Sequence, residues 1–512
     1  MSILNPRTWG TLTRWAVGTA AVLLLVAAGW TGHALLQPSL DCAPGVQKRG
    51  PQQECTGVSD GGFSFAPALD DVSRRIKAEN DRIAGRPHAT VAFMVSMVGA
   101  SDVTQQQILR EIQGAYLAQY RENRDNNLSP AIRLVLANPG SGGAQWRSVA
   151  DQLGTMARSA TDNLRAVAGF DTSVNTTKEA IGYLTNTLRI PVIGGLITAD
   201  DIANSDEHPS AFPGLARVVP TNTQVADTLA TYVGKRATPS TTKVVEDLRE
   251  DDNYIKSLRV AFGKHTSLPS EQFRSPGDIL ATGNLSNDFQ QMVSSLCTSK
   301  VETIYFAGRY TQLRQFLNEL GKRGCRDKTF TVVTGDAADT LASDPEFNWE
   351  ILKTNKENGR IVVQYAAVAN SAMWDQGETV NGGSKDELTH LTAELDKQDL
   401  KGFGPVDFRG SRTMIAHDSV RTAVAAIRKA AVLNPIPGLQ DTRDKLLRLH
   451  GDARINGTSG WICLDNNGNP DHKALAVVEL DPEAPTKEKA IRVKALTWAG
   501  DSPPEPDCPT KK

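Results

Sequence analysis

Residues 188–222 read LRIPVIGGLITADDIANSDEHPSAFPGLARVVPTN and hold the first groups placed for chemistry. An apolar run at 190–193 ends in Gly194 and Gly195, with Thr198, Asp200 and Asp201 just beyond. Ligands of open parallel sheets sit beyond the carboxyl ends of the strands, where glycine lets the backbone approach closely. Residues 194–198 are therefore a candidate binding edge, and 218–222 a candidate exit from a first lobe. A buried strand followed by an ordinary loop would read the same way.

Other constellations lack their context. Gly57-Val58-Ser59-Asp60-Gly61 matches a nucleophile elbow, but it lies between Cys55 and a predicted helix, not at a strand-to-helix turn. Gly140-Ser141-Gly142-Gly143 follows a strand and precedes a helix, as a phosphate loop would. It lacks the third spaced glycine of a dinucleotide site and the Lys-Ser/Thr of a P-loop, and reads as a turn on the carboxyl edge, within reach of a ligand. Asp465, Asn467 and Asn469 begin like a calcium loop, but Pro470 replaces the required glycine and Ala476 stands where the bidentate glutamate belongs. The histidines show no metal spacing and no C-x-x-C occurs. With no nucleophile–base set in context, the chain reads as neither an enzyme nor a cofactor protein.

At 512 residues the chain exceeds one simple domain. Lys and Arg number 56 against 58 Asp and Glu, so no large basic surface is implied and nucleic acid is not expected as a partner. Residues 15–36 contain no Asp, Glu, Lys or Arg and are long enough to cross a bilayer. Arg7 and Arg14 precede them, which predicts a cytoplasmic N-terminus and an exported remainder. A cleaved signal peptide competes with this reading, but His33-Ala34-Leu35-Leu36-Gln37-Pro38 is a poor cleavage site, so an uncleaved single-pass anchor in the cell membrane is expected. Six cysteines, all beyond the run, agree with an oxidising compartment. Cys42 with Cys55 is the most local pairing. Cys297 and Cys325 each end a predicted helix and become neighbours if both helices cover one sheet face; Cys463 with Cys508 would then pin the tail.

Positioning these groups falls to an alternation of strands and helices. A connector at 38–53 leads to a turn and a leader helix bearing Leu69, Val72, Ile76 and Ile83. Strands are predicted at 91–98, 132–137 and 164–170, with helices between them marked by apolar residues at helical spacing. A second series after Asn222 places strands at 242–245, 301–307, 330–334 and 359–367. Such alternation demands parallel sheets with right-handed crossovers and helices on both faces, giving an α/β fold of two lobes. Near the end, 460–464 and 474–480 flank DNNGNPDH, which reads as a hairpin turning at Asn467-Gly468.

Eight blocks in order carry a resemblance: VAFMVSM, VAGFDTS, PVIGGLITADDI, FPGLARVVPTNTQ, REDDNYIKSL, IYFAGRYTQLRQFL, FTVVTGDAADT and NGTSGWICLDNNGNP. Over 89–480 the chain resembles the type I periplasmic-binding-protein fold, and within it the branched-chain amino-acid receptors of bacterial ABC importers. The resemblance implies two discontinuous lobes that close on a ligand by hinge motion. Lobe one is 88–222 plus 368–450 and lobe two 223–367 plus 451–500, behind an anchor at 1–37 and a connector and leader at 38–87, with a tail at 501–512. It implies a carboxylate-binding edge formed by the Ser173 hydroxyl and by Leu196 and Thr198. It places Tyr254 and Tyr310 on the facing lobe, with Asp336 opposite the ligand ammonium. Tyr254 and Tyr310 also fit amphipathic surface positions, Asp336 also fits a helix cap, and Thr176 and Thr177 compete with Ser173. Arg309 departs from the pattern; it would clamp an anionic ligand or fill the pocket. The implied function is an extracytoplasmic solute-binding protein that captures an amino acid or similar small polar ligand for an ABC permease or for sensing. The alternative is a ligand-free scaffold of the cell envelope.

Overall fold

The computed structural model describes residue 10 and residues 41–508, apart from 100, 125–127, 235–237, 278–282, 354–358, 376–380, 384, 433 and 485–489. The apolar run at 15–36 lies outside the described residues. Among those described, no helix is long and apolar enough to cross a membrane.

The first sheet starts inside the segment expected to be a connector. Strands β1 (Asp41–Ala43), β2 (Val46–Arg49) and β3 (Glu54–Ser59) form an antiparallel meander, and β3 pairs antiparallel with the strand Ala131–Asn138. Gly45 and Gly50, which suggested a linker, instead take φ of 78° and 72° at the two turns. The Cys42–Cys55 disulfide ties β1 to β3. Helix α1 (Asp70–Arg82) is the leader helix. There follow β4 (His88–Met94), α2 (Asp102–Glu122), β5 (Ala131–Asn138), α3 (Trp146–Arg158), β6 (Leu164–Gly169), α4 (Asn175–Gly182), β7 (Val192–Gly194) and β8 (Leu215–Arg217). The order is β1-β2-β3-β5-β4-β6-β7-β8, parallel from β5 to β8.

Alternate residues of the central strands point to opposite helical layers. Val91 and Phe93 of β4 join Ile108 and Ile112 of α2 in one core, whereas Ala92 and Met94 join Val149 and Leu153 of α3 in another. Burial on both faces is why these strands read as unbroken apolar runs.

The chain leaves this sheet after β8 and enters α5 (Asn222–Val233), whose start is fixed by a capping box between Thr221 and Gln224. The second sheet is built from β9 (Thr242–Asp247), α6 (Asn253–Gly263), β10 (Glu271–Phe273), α7 (Ser286–Thr298), β11 (Thr303–Ala307), α8 (Tyr310–Gly321), β12 (Phe330–Thr334) and β13 (Ile361–Ala367). The chain then returns to the first sheet with α9 (Lys385–Leu395), α10 (Ser411–Ala430) and α11 (Leu439–Leu446), and α10 packs along α2. A Cβ at Gly114 of α2 would collide with the Thr413 carbonyl oxygen, so this helix pair needs glycine there.

The predicted hairpin is reduced to its turn and one antiparallel bridge, Leu464 with Pro470, and its flanking strands do not pair. Strands β14 (Ile455–Gly457) and β15 (Gly460–Ile462) pair with each other, while β16 (Ala474–Leu480) runs antiparallel between β13 and β17 (Ile491–Trp498) in the second sheet. A two-faced apolar strand such as β16 gains more from two sheet neighbours than from one short partner. The turn itself exists, and it docks on the first sheet: the Arg217 N–H donates to Gly468 O at 2.8 Å and Arg217 Nε to Asn469 Oδ1 at 3.0 Å. Asp418 of α10 anchors this last crossing, accepting from the Thr458 and Ser459 backbone N–H groups at 3.0 and 2.8 Å and from the Ser459 hydroxyl at 2.6 Å. Lys473 Nζ donates to Ser459 O at 2.8 Å from the other side. The Cys297–Cys325 and Cys463–Cys508 disulfides are also formed.

Candidate functional site

The carboxyl ends of the parallel strands of both sheets converge on a cavity of about 550 Å³. Met94 and Val95 reach it from β4, Phe170 and Ser173 from beyond β6, and Leu196 from beyond β7. The facing wall carries Tyr254 from α6, Arg309 and Tyr310 after β11, and Asp336 after β12. The two walls touch. The Tyr254 N–H donates to Ser173 O at 3.0 Å, Asn253 Nδ2 to Asp201 Oδ2 at 2.7 Å, and Gln107 Nε2 to Thr340 Oγ1 at 2.6 Å.

Six of the seven residues expected in the site line this cavity; Thr198 does not. Its side chain is buried behind the wall, and its carbonyl accepts the Asn222 N–H at 2.7 Å. The expected carboxylate edge is largely engaged in holding the fold together. The Gly195 N–H donates to Gly169 O, the Leu196 N–H donates to Phe170 O at 3.1 Å, and the Ser173 hydroxyl oxygen accepts from the Ala199 N–H at 3.3 Å. Residues 194–198 thus splice neighbouring strand ends, and Leu196 contributes an apolar surface.

Arg309 neither fills the cavity nor points a free guanidinium into it. It donates Nε to Asp252 Oδ2 at 2.8 Å and Nη2 to Asp252 Oδ1 at 2.9 Å, a bidentate pair on a fully buried carboxylate. Its guanidinium carbon lies 4.6 Å from the centroid of the Tyr254 ring, and Nη2 reaches Ser173 O at 3.4 Å. Tyr254 is buried, not a surface residue, and its hydroxyl accepts from the Ala337 N–H at 3.3 Å. Burial raises the phenol well above its ordinary range.

Asp336 opens a 3₁₀ segment, Asp336–Ser343, but makes no side-chain cap to it. Its Oδ1 is buried without a hydrogen-bond partner. Burial pushes its carboxyl up to about 6, against the pull of the Arg309 and Arg412 charges. Three residues on, one 3₁₀ turn, Asp339 faces the same cavity. Its Oδ2 accepts the Ser411 N–H at 2.9 Å, and burial again raises it to about 6.

Asp339 was legible from that three-residue spacing and was missed. Arg412 had no sequence signal. It sits at the start of α10, pairs with the buried Glu111 of α2 and lies 3.9 Å from Asp171. Burial holds Glu111 up at about 8 even so. Gly142, Gly143, Thr176 and Thr177 also line the cavity, and the Thr176 hydroxyl is engaged with Gly142 O at 2.7 Å. Ser59, the apparent nucleophile, holds a turn: its hydroxyl donates to Phe63 O at 2.8 Å and accepts from the Gly61 and Phe63 N–H groups. Asp465 likewise caps its own turn, accepting from the Asn467 and Asn469 N–H groups. No group of acidic, histidine or cysteine side chains among the described residues is arranged to hold a metal ion.

No family model matches the sequence, and no curated protein matches it significantly. Solved structures do. The branched-chain amino acid transporter substrate binding protein LivJ of Streptococcus pneumoniae, in complex with isoleucine, is 16% identical with a TM-score of 0.56, over 80% of this chain and 99% of that one. The leucine binding protein LivK of Thermotoga maritima is 14% identical with a TM-score of 0.57, over 80% and 98%. A solute binding protein of an ABC transporter from Rhodopseudomonas palustris, in complex with p-hydroxybenzoic acid, is 13% identical with a TM-score of 0.58, over 80% and 97%. Two sheets whose parallel strands end on one shared cavity, and this likeness along nearly the full length of those proteins, lead to one conclusion: the chain has the type I periplasmic-binding-protein fold.

Proposed function

We propose that the chain is an extracytoplasmic solute-binding protein that captures a small polar organic molecule between its lobes, for an ABC permease or for sensing. The observation that carries the reading is the cavity itself, which lies within the usual range for small-molecule sites and is walled by both sheets. Ser173, Leu196, Tyr254, Tyr310 and Asp336 contact the ligand in this reading, and Arg309 positions Tyr254 rather than binding the ligand. Solutes of the structural neighbours, isoleucine and p-hydroxybenzoic acid, support a ligand of that size. Residues 88–222 with 368–450 move as one lobe and 223–367 with 451–500 as the other. Residues 15–36 tether the protein to the membrane from which the lobes project.

A thermal-shift screen of the purified full chain in mild detergent, against amino acids, amines, aromatic acids, sugars and nucleosides, tests the reading. A ligand at 100 times its Kd stabilises the folded state by about 2.7 kcal/mol. Silence of a folded sample to every class would turn the reading toward a ligand-free envelope scaffold, which the open cavity and the Asp252-bound Arg309 do not favour.

A further inference from the structure

The charges around the cavity do not balance. Three arginines line it, and each is held by acidic side chains: Arg309 by Asp252, Arg314 by Asp344 and Glu346, and Arg412 by Asp171 at 3.9 Å and by Glu111, which burial keeps largely protonated near neutral pH. The described lining holds no lysine or histidine. Of the lining carboxylates, the exposed Asp102 at the start of α2 and the pair Asp336 and Asp339 have no ion-pair partner among the described residues; the pair lies on one face of one turn, with the Tyr365 hydroxyl 3.4 Å from Asp339 Oδ1 and the Arg309 and Arg412 charges acting only from their own pairs. Asp336 Oδ1 is buried and unpartnered, a cost that a ligand cation would remove.

The receiving end for a ligand carboxylate is correspondingly poor. The Gly195 and Leu196 N–H groups are bonded to strand β6 and its exit, Thr198 is outside the cavity, and the Ser173 oxygen is held by Ala199. The other hydroxyl residues of the lining, among them Ser96, Ser101, Thr104, Thr172, Thr177 and Thr311, are neutral. The first-sheet side of the cavity carries Met94, Val95, Trp146, Phe170 and Leu196 among neutral hydroxyls and Asp171. Aromatic faces near an ammonium attract it, and a carboxylate brought against unpaired carboxylates is repelled by several kcal/mol.

Resting on the reading that this cavity captures a solute, we propose that the solute is an apolar organic amine, an ammonium cation without a carboxylate, held by Asp336 and Asp339. Amino acids and aromatic acids are disfavoured in this site.

Matched probes test it: tyramine, tyrosine and 4-hydroxybenzoate on one ring, and isoamylamine, leucine and isocaproate on one branched chain, each titrated into the full chain by calorimetry at pH 7.5. The amine of each set is expected to bind at least about tenfold more tightly than its amino acid, with no binding of the acid. The Asp336→Asn, Asp339→Asn double variant is expected to lose at least about tenfold in amine affinity. Its folding is safeguarded, because neutralising two half-buried carboxylates removes a desolvation penalty; an unchanged circular dichroism spectrum and thermal midpoint verify this. An amino acid or acid binding more tightly than its amine overturns the proposal and leaves solute capture standing. Amine affinity unchanged in the double variant overturns the assignment to these aspartates. Silence of both probe sets overturns the proposal, and solute capture falls with it only if the broader screen is silent as well.

Discussion

Replacing Arg309 by methionine distinguishes a structural arginine from a ligand clamp. Two unit charges about 4 Å apart at an effective dielectric near 20 attract by about 4 kcal/mol. Removing one partner of a buried pair costs about 3–5 kcal/mol, because the other charge is left uncompensated. Asp252 has no exposed surface, and it also caps α6 by accepting the Ile255 N–H at 3.1 Å, so it cannot turn outward without breaking that helix start. Loss of the guanidinium over Tyr254 adds about 1 kcal/mol. Arg309→Met is therefore expected to destabilise by about 4 kcal/mol in urea unfolding. Fluorescence and circular dichroism should be followed together, so that coincident transitions license the free energies. Asp252→Asn keeps the cap and removes the charge, and the double variant should recover at least about 2 kcal/mol of the summed losses. A loss below about 1 kcal/mol for Arg309→Met, with additive single and double variants, would refute the buried-pair reasoning.

Three further outcomes are expected. Burial lowers Lys473 to about 8 from its ordinary 10.5, while Asp418 opposes the shift. Between those values the unfolded chain binds the proton and the folded chain does not, so this group makes stability rise with pH from about 8 to 10.5. Lys473→Met should flatten that rise in denaturant midpoints taken at pH 7.5, 9 and 10, and equal slopes in both proteins would contradict it. The Cys463–Cys508 bridge closes a separation of 45 residues and is worth about 4 kcal/mol in the chain-entropy model. The double serine variant should show that loss in urea, and a change under about 1 kcal/mol would count against it. Deleting residues 1–40 should move the protein from the membrane to the soluble fraction, and a truncated chain that still sediments wholly with membranes would refute the tether.

The alternation of strands and helices was legible because each pattern is local. A strand buried on both faces must be apolar throughout, and a helix on its surface must repeat near 3.6 residues. The ends of β4, β6, β7, β11 and β12 follow from that pattern. The set Ser173, Leu196, Tyr254, Arg309, Tyr310 and Asp336 came from the resemblance carried by the eight blocks, and it agrees with the rule that residues just past parallel strands face the crevice. Of the disulfides, Cys297–Cys325 was suggested by the layout of strands and helices, Cys42–Cys55 by proximity in sequence, and Cys463–Cys508 only as the remaining pair.

What each polar group does with its hydrogen bonds was decided only in three dimensions. The Leu196 N–H looks available in the sequence, yet it is taken by Phe170, and Arg309 looks free until Asp252 is brought beside it. Arg412 reaches the cavity only because α10 packs on α2, some three hundred residues earlier in the chain, and there it meets Glu111. Strands β1 to β3 hid in a composition that suits linkers, and β16 found its partners across a sheet, not across a turn. Local periodicity determines which face of an element is buried. Which charges end up satisfied depends on partners that the fold brings together from distant segments, and at this cavity that difference separates a site for zwitterions from one for cations.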